Sequence, residues 1–158
     1  MPARLDYRKA APEVYEAMAH LQSVVNRCGL EPLLLELVKL RASQINGCAY
    51  CIDMHTKDAR ALGETEQRLY ALSAWHETPF YTDRERAALA WTETLTLIAE
   101  TGAPDDVYEQ LSRYFSENER MHLTLAVVAI NAWNRFAIGF HAEPGTYRSP
   151  YANTKVKT

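Results

Sequence analysis

The stretch from Glu117 to Ile138 constrains the fold of this chain more than any other. Wound as a helix at about 3.6 residues per turn, it points apolar side chains in every direction. These are Leu123, Leu125, Ala126, Val127, Val128, Ala129, Ile130, Ala132, Trp133, Phe136 and Ile138. A helix apolar all round must be covered on all sides. It is therefore either the central helix of a bundle or part of a subunit interface. No apolar run approaches the ~20 residues that span a bilayer, so no membrane segment is expected.

The rest of the chain is compatible with a helical setting for that segment. Pro and Gly punctuate a series of helical patterns, and no convincing strand intervenes. The predicted helices run from about Pro12 to Cys28, from Pro32 to about Ile45, from near Cys48 to Gly63, and from about Glu66 to Glu77. A fifth runs from Thr82 to Gly102, and a short sixth follows Pro104 with Val107, Leu111 and Phe115 inward. Two starts carry the reciprocal capping pattern of a hydroxyl followed three residues later by Glu: Thr82 with Glu85, and Ser116 with Glu119. The second opens the apolar helix, which Gly139 is expected to close. Residues 142–158 contain two Pro and one Gly with few aliphatics, and read as an extended arm. The sum is an all-α chain of about seven helices, without internal repeats.

Composition narrows the function classes. With 158 residues, 47% of them apolar and 23% charged, the chain can bury a core as one domain. Lys plus Arg is 17 against 20 for Asp plus Glu, a net charge of −3. No basic stripe marks a nucleic-acid binder. The polar segment Met1–Lys9 lacks the apolar centre of a secretory signal, so a cytoplasmic location is expected. Three cysteines are an odd number for a disulfide scaffold. In a reducing compartment, Cys48 and Cys51 are a redox-active or metal-binding pair before they are a permanent staple.

Around that pair the spacing is informative. At about 100° per residue, Cys51 and His55 are offset from Cys48 by about −60° and −20°, so the three share one narrow face. The start of a helix favours a thiolate there. Its dipole contributes only roughly 0.3–1 kcal/mol, under one pKa unit. A free Cys is only about 3% thiolate at pH 7, so a base is required. His55 is the candidate. A tight turn at Asn46–Gly47 would fold the preceding helix back and set Glu36 against Cys48 and His55. Glu36 lies among Leu37 and Val38 on a face with buried periodicity, and there it needs a partner.

The combination Glu36-x11-Cys48-x2-Cys51-x3-His55 inside an all-helical chain resembles the core of the AhpD-like alkylhydroperoxidases of the carboxymuconolactone decarboxylase superfamily. The resemblance runs from about Glu36 to Leu62. Asn131-Ala132-Trp133-Asn134-Arg135-Phe136 is similar to the small, single-core members. It implies one AhpD-like domain over residues 1–158, with a redox core at about 32–63. It implies that Cys51 is peroxidatic, that Cys48 donates a proton and resolves the sulfenic acid, and that Glu36 and His55 relay protons. It further implies a hydroperoxide substrate, an external dithiol or disulfide-reductase partner, no cofactor or metal, and a homotrimer or homohexamer. The better-known family member carries a His between its cysteines, where this chain has Tyr50. The superfamily's decarboxylases lack the cysteine pair, so lactone decarboxylation fits poorly.

Other readings of the same residues stand beside this one. Cys48, Cys51 and His55 could ligate zinc with Glu36 or Cys28 as fourth ligand, although structural zinc usually takes two close cysteine pairs. The pair could be inert and buried, or could serve a non-enzymatic redox sensor. Helix geometry leaves open which thiol attacks first. Cys28 reads as a packing residue. His20, His76, His122 and His141 read as structural or solvated, with His141 and Arg135 placed to border the site. The run Thr82–Arg86 reads as a solvated helix start. Trp75, Trp91 and Trp133 read as core or interface.

Overall fold

Two features of the chain bracket its most enclosed helix. Pro32 occupies the first turn, where a missing N–H costs nothing, and Gly47 takes the left-handed conformation (φ 69°) that ends it. Between them α3 (Pro32–Asn46) buries Leu34, Leu35, Leu37, Val38, Leu40 and Ala42. The computed structural model describes residues 2–152. Around α3 are packed α4 (Ala49–Ala61), α6 (Asp83–Thr96) and α9 (Glu117–Gly139). A second layer is formed by α2 (Pro12–Asn26) against α9, and by α8 (Asp105–Tyr114) against α6. Among the described residues there is no strand. None of the helices there is long and apolar enough to cross a membrane.

The architecture is all-α, as expected, with several boundaries drawn differently. A short α1 (Tyr7–Ala10), capped by the Asp6 carboxylate on the Arg8 N–H, precedes the first expected helix. Four residues are too few to show a periodic pattern. The helix expected over Glu66–Glu77 is α5 (Glu66–Ala71) followed by a 3-10 helix over Leu72–Glu77. The fifth helix stops at Thr96, and a separate turn, α7 (Ile98–Thr101), follows Leu97. Gly139 lies inside α9, and His141 adopts the positive φ (56°) beyond it. Both capping boxes are formed, Thr82 with Glu85 and Ser116 with Glu119.

The central helix is α3 rather than α9. Helix α9 packs against α2, α3 and α6, but Met121, Val128 and Ile138 remain 70%, 51% and 42% exposed. The run Thr82–Arg86 is less solvated than its charge suggests. Arg84 pairs with Glu31 (2.8 Å) and Glu119 (2.6 Å). Arg86 donates to the carbonyls of Trp75, His76 and Thr78. The carbonyls at the end of the 3-10 helix attract the guanidinium.

One polar clamp fixes the end of α3. Asn46 Nδ2 donates to Asn131 Oδ1 (3.0 Å) and Asn134 Oδ1 (2.8 Å) on α9. Asn134, itself buried, donates to Ser43 Oγ (3.1 Å). A buried amide must be satisfied, so these bonds tie the C-terminal end of α3 to α9.

Candidate active site

The turn after the clamp presents the cysteines. Cys48 is not the first helical residue, as the angular argument assumed, but the N-cap of α4, with φ −84° and ψ 93°. Its Sγ accepts the Cys51 N–H at 3.3 Å, which satisfies one of the helix's orphan amides. Cys48 and Cys51 are joined as a disulfide across a Cα–Cα distance of 5.3 Å. Both are buried, in a small cluster with Ala42, Ile130 and Ala137. Cys28 packs against a different part of the core, so the described residues assemble no zinc site from it and the pair.

Glu36 and His55 meet as the turn requires. Glu36 Oε2 lies 2.8 Å from His55 Nδ1. A carboxylate only accepts, so Nδ1 carries the donated proton and Nε2 is left over. Nε2 is buried with no hydrogen-bond partner. On the other carboxylate oxygen, Lys39 Nζ donates at 2.8 Å. Burial pushes the Glu36 carboxyl up, but the bond from His55 and the charge of Lys39 outweigh it and hold the group below its usual range. One turn past His55, the buried Asp58 accepts Tyr147 Oη on both oxygens at 3.0 Å. Burial and the Asp58 charge raise the Tyr147 pKa, so the phenol keeps its proton as donor.

Glu36, His55 and Asp58 present potential ligand atoms within 4.8 Å of one another. The Lys39 ammonium beside Glu36 and the Tyr147 hydroxyl on both Asp58 oxygens compete with a cation for those oxygens. The donor set therefore fits a proton-handling site better than a metal site.

A cavity of about 270 Å³ is lined by Glu36, Cys51, His55 and Asp58, and also by Lys39, Arg8 and Trp133. Cys48 instead borders a separate groove of about 320 Å³ with Tyr50, Ala137 and His141. The disulfide thus divides two openings. The described part of the C-terminal arm lies over α4: Gly145 N donates to Asp53 (3.1 Å), and Lys57 reaches the Tyr147 carbonyl (3.2 Å). Residues 153–158 of the expected arm lie outside the described residues.

Lys39, Asp58, Tyr147 and Arg8 were not singled out from the sequence, and Trp133 was assigned to core or interface. Two of these carried a local signal. Lys39 is three residues from Glu36, and Asp58 extends the face of Cys51 and His55 by another turn. The remaining three come from distant segments.

A model of the carboxymuconolactone decarboxylase family matches residues 12–94. An uncharacterised Bacillus subtilis protein, YdfG, is 43% identical over 138 residues, which is 87% of this chain and 94% of YdfG. A crystal structure from Agrobacterium tumefaciens superposes with a TM-score of 0.90 at 47% identity, over 92% of this chain and all of that one. It is of a protein of unknown function, provisionally an AhpD antioxidant defence protein. The debrominase Bmp8 shares the fold at 19% identity, with a TM-score of 0.77 over 85% of this chain and 73% of its own.

Proposed function

Because the chain belongs to the carboxymuconolactone decarboxylase family as an AhpD-like member, we propose that it is a thiol-dependent peroxidase. In this reading it reduces organic hydroperoxides through Cys48 and Cys51. The observation that carries it is the Cys51 half of the disulfide in the wall of a cavity it shares with His55. That imidazole is anchored on Nδ1 by Glu36 and keeps a buried, unpartnered Nε2.

The reaction starts from the dithiol. His55 takes the Cys51 proton through Nε2, and Glu36 steadies the imidazolium. The thiolate attacks the distal oxygen of the hydroperoxide and the O–O bond breaks. The leaving alkoxide takes a proton from His55 and departs as alcohol, and Cys51 becomes a sulfenic acid. The Cys48 sulfur then attacks Cys51, water leaves, and the disulfide forms. An external dithiol supplies two electrons and two protons to restore the pair. The groove beside Cys48 offers that reductant a separate approach. Such a cycle suits the reducing cytoplasm.

The exposed Met121, Val128 and Ile138 of α9 support a homo-oligomer; the family resemblance implies a trimer or hexamer, which light scattering would measure.

Steady-state consumption of cumene hydroperoxide under several dithiol reductants tests the activity. Turnover is expected in wild type. Cys48→Ser should give one trappable sulfenic acid without efficient turnover, and Cys51→Ser should give none. One equivalent of oxidation without turnover under any reductant would instead favour a redox sensor.

A further inference from the structure

The cavity above Cys51 has a distinctive wall. Tyr7, Tyr15, Tyr50, Trp133, Tyr147 and Tyr151 all line it. Tyr15 meets Trp133 edge to face, with ring centroids 5.8 Å apart. Such walls take flat apolar bodies. At about 270 Å³, the space falls just below the usual range of ligand pockets, roughly 300–1,000 Å³. A single ring fits that size better than a long acyl chain.

Charge adds an orientation. Lys39 is neutralised by Glu36, and Asp58 places a carboxylate in the wall near His55. The reacting end of a substrate should therefore carry no negative charge of its own. Arg8 borders the same cavity from the short α1 and is exposed to solvent. Its guanidinium lies 5.5 Å from the Tyr15 ring centroid and interacts with the phenols of Tyr7 and Tyr50. Tyr50 immediately precedes Cys51, so this contact holds the cation near the reactive turn. The nearby Asp6 is occupied otherwise, by the Arg8 backbone N–H and the Lys9 ammonium. Among the described residues no carboxylate forms an ion pair with the Arg8 side chain. A guanidinium set against the Tyr15 ring and the phenols of Tyr7 and Tyr50, exposed to solvent and without a carboxylate of its own, is suited to receive one.

We infer that the substrate is a single-ring aromatic hydroperoxide bearing an anionic group, with the ring between the tyrosines and Trp133, the peroxide toward Cys51, and the anion on Arg8. This rests on the peroxidase reading and specifies its substrate class. The step is the one given above: the distal oxygen goes to Cys51, the aromatic alcohol leaves, and the anionic group takes no part in bond changes.

The test compares cumene hydroperoxide with its para-carboxylate on reduced wild type and Arg8→Gln, at low and high salt. In wild type the carboxylate should show a KM roughly five- to tenfold lower, as one charge-assisted contact at a partly solvated site provides. That ratio should shrink at high salt. It should fall to about one in Arg8→Gln. Equal KM values in wild type, or a ratio that survives in Arg8→Gln, would overturn the inference while leaving the peroxidase reading intact. Calorimetry with cumyl alcohol and its para-carboxylate gives a second, non-catalytic readout. If no hydroperoxide is consumed, the peroxidase reading fails. Tighter binding of the carboxylate, lost in Arg8→Gln, would then still support the ligand class. Equal binding of the two alcohols, or none, would reject it.

Discussion

Among the described residues two glutamate–histidine pairs form, and their surroundings differ in kind. Glu93 on α6 accepts Arg41 Nε at 2.7 Å, Trp75 Nε1 at 2.8 Å and His76 Nε2 at 3.2 Å. The His76 ring is stacked on Trp75 and its side chain is 60% exposed. Every bond there joins one helix to another, and the disulfide lies elsewhere. Glu36 accepts Lys39 and His55, and that histidine, 7% exposed and with Nε2 unpartnered, lines the cavity together with Cys51. Both carboxyls are held below their usual range, although burial alone would raise each, because the hydrogen bonds and charges on them outweigh it. A lowered carboxyl therefore does not mark a reactive site. What separates the pairs is a buried, unpartnered nitrogen on a histidine that lines the same cavity as Cys51.

The largest test of that contrast is kinetic. His55→Ala should slow oxidation of the reduced thiols by hydroperoxide about a hundredfold or more, the usual contribution of a positioned acid or base. His76→Ala should stay within about twofold. Stopped-flow fluorescence on both variants, with circular dichroism as a check on folding, measures this. Equal slowing in the two would erase the distinction.

A smaller effect concerns stability. Glu93→Leu should lower unfolding free energy by about 1–3 kcal/mol, because Arg41 and Trp75 lose their shared acceptor. Its oxidation rate should match wild type. Urea denaturation followed by the same stopped-flow assay separates the two roles, and a slowed but equally stable variant would reverse them.

The smallest effect is a pH slope. Glu36 sits below its usual value of 4.5 in the folded protein. The unfolded chain then binds more protons as the pH falls, so the stabilisation is present above about 4.5 and is lost as pH drops through the lower folded value. Glu93 contributes with the same sign. Urea midpoints from pH 3 to 7 should decline on the acid side, less steeply in Glu36→Gln. An unchanged slope in that variant would show that Glu36 is not held down as described.

Much of the arrangement was legible one segment at a time. Pro32 and Gly47 bracketed α3, and the two hydroxyl–Glu pairs marked the starts of α6 and α9. The separations among Glu36, Cys48, Cys51 and His55 follow a helix–turn–helix, and a short turn leaves little freedom in how its helices meet. The Glu36–His55 bond and the disulfide reflect that. The apolar run of α9 is helical as its pattern requires, and of its two expected places, bundle centre or interface, the first belongs to α3 instead. Periodicity reports how many faces are apolar, not which neighbour covers them.

What the sequence determined by itself is the local chemistry: the helix type, the capped ends, and a thiol pair with an imidazole one turn on. Each depends on residues within a few turns of one another, where backbone geometry fixes relative position. The tertiary structure alone decided what faces that pair. Arg8 and Tyr147 stand 139 residues apart in the chain, yet both border the Cys51 cavity with Trp133. The Tyr147 hydroxyl reaches Asp58 across 89 positions. No local spacing encodes such meetings, because they follow from how α1 packs on α2 and α9, and how α9 and the C-terminal arm pack on α3 and α4.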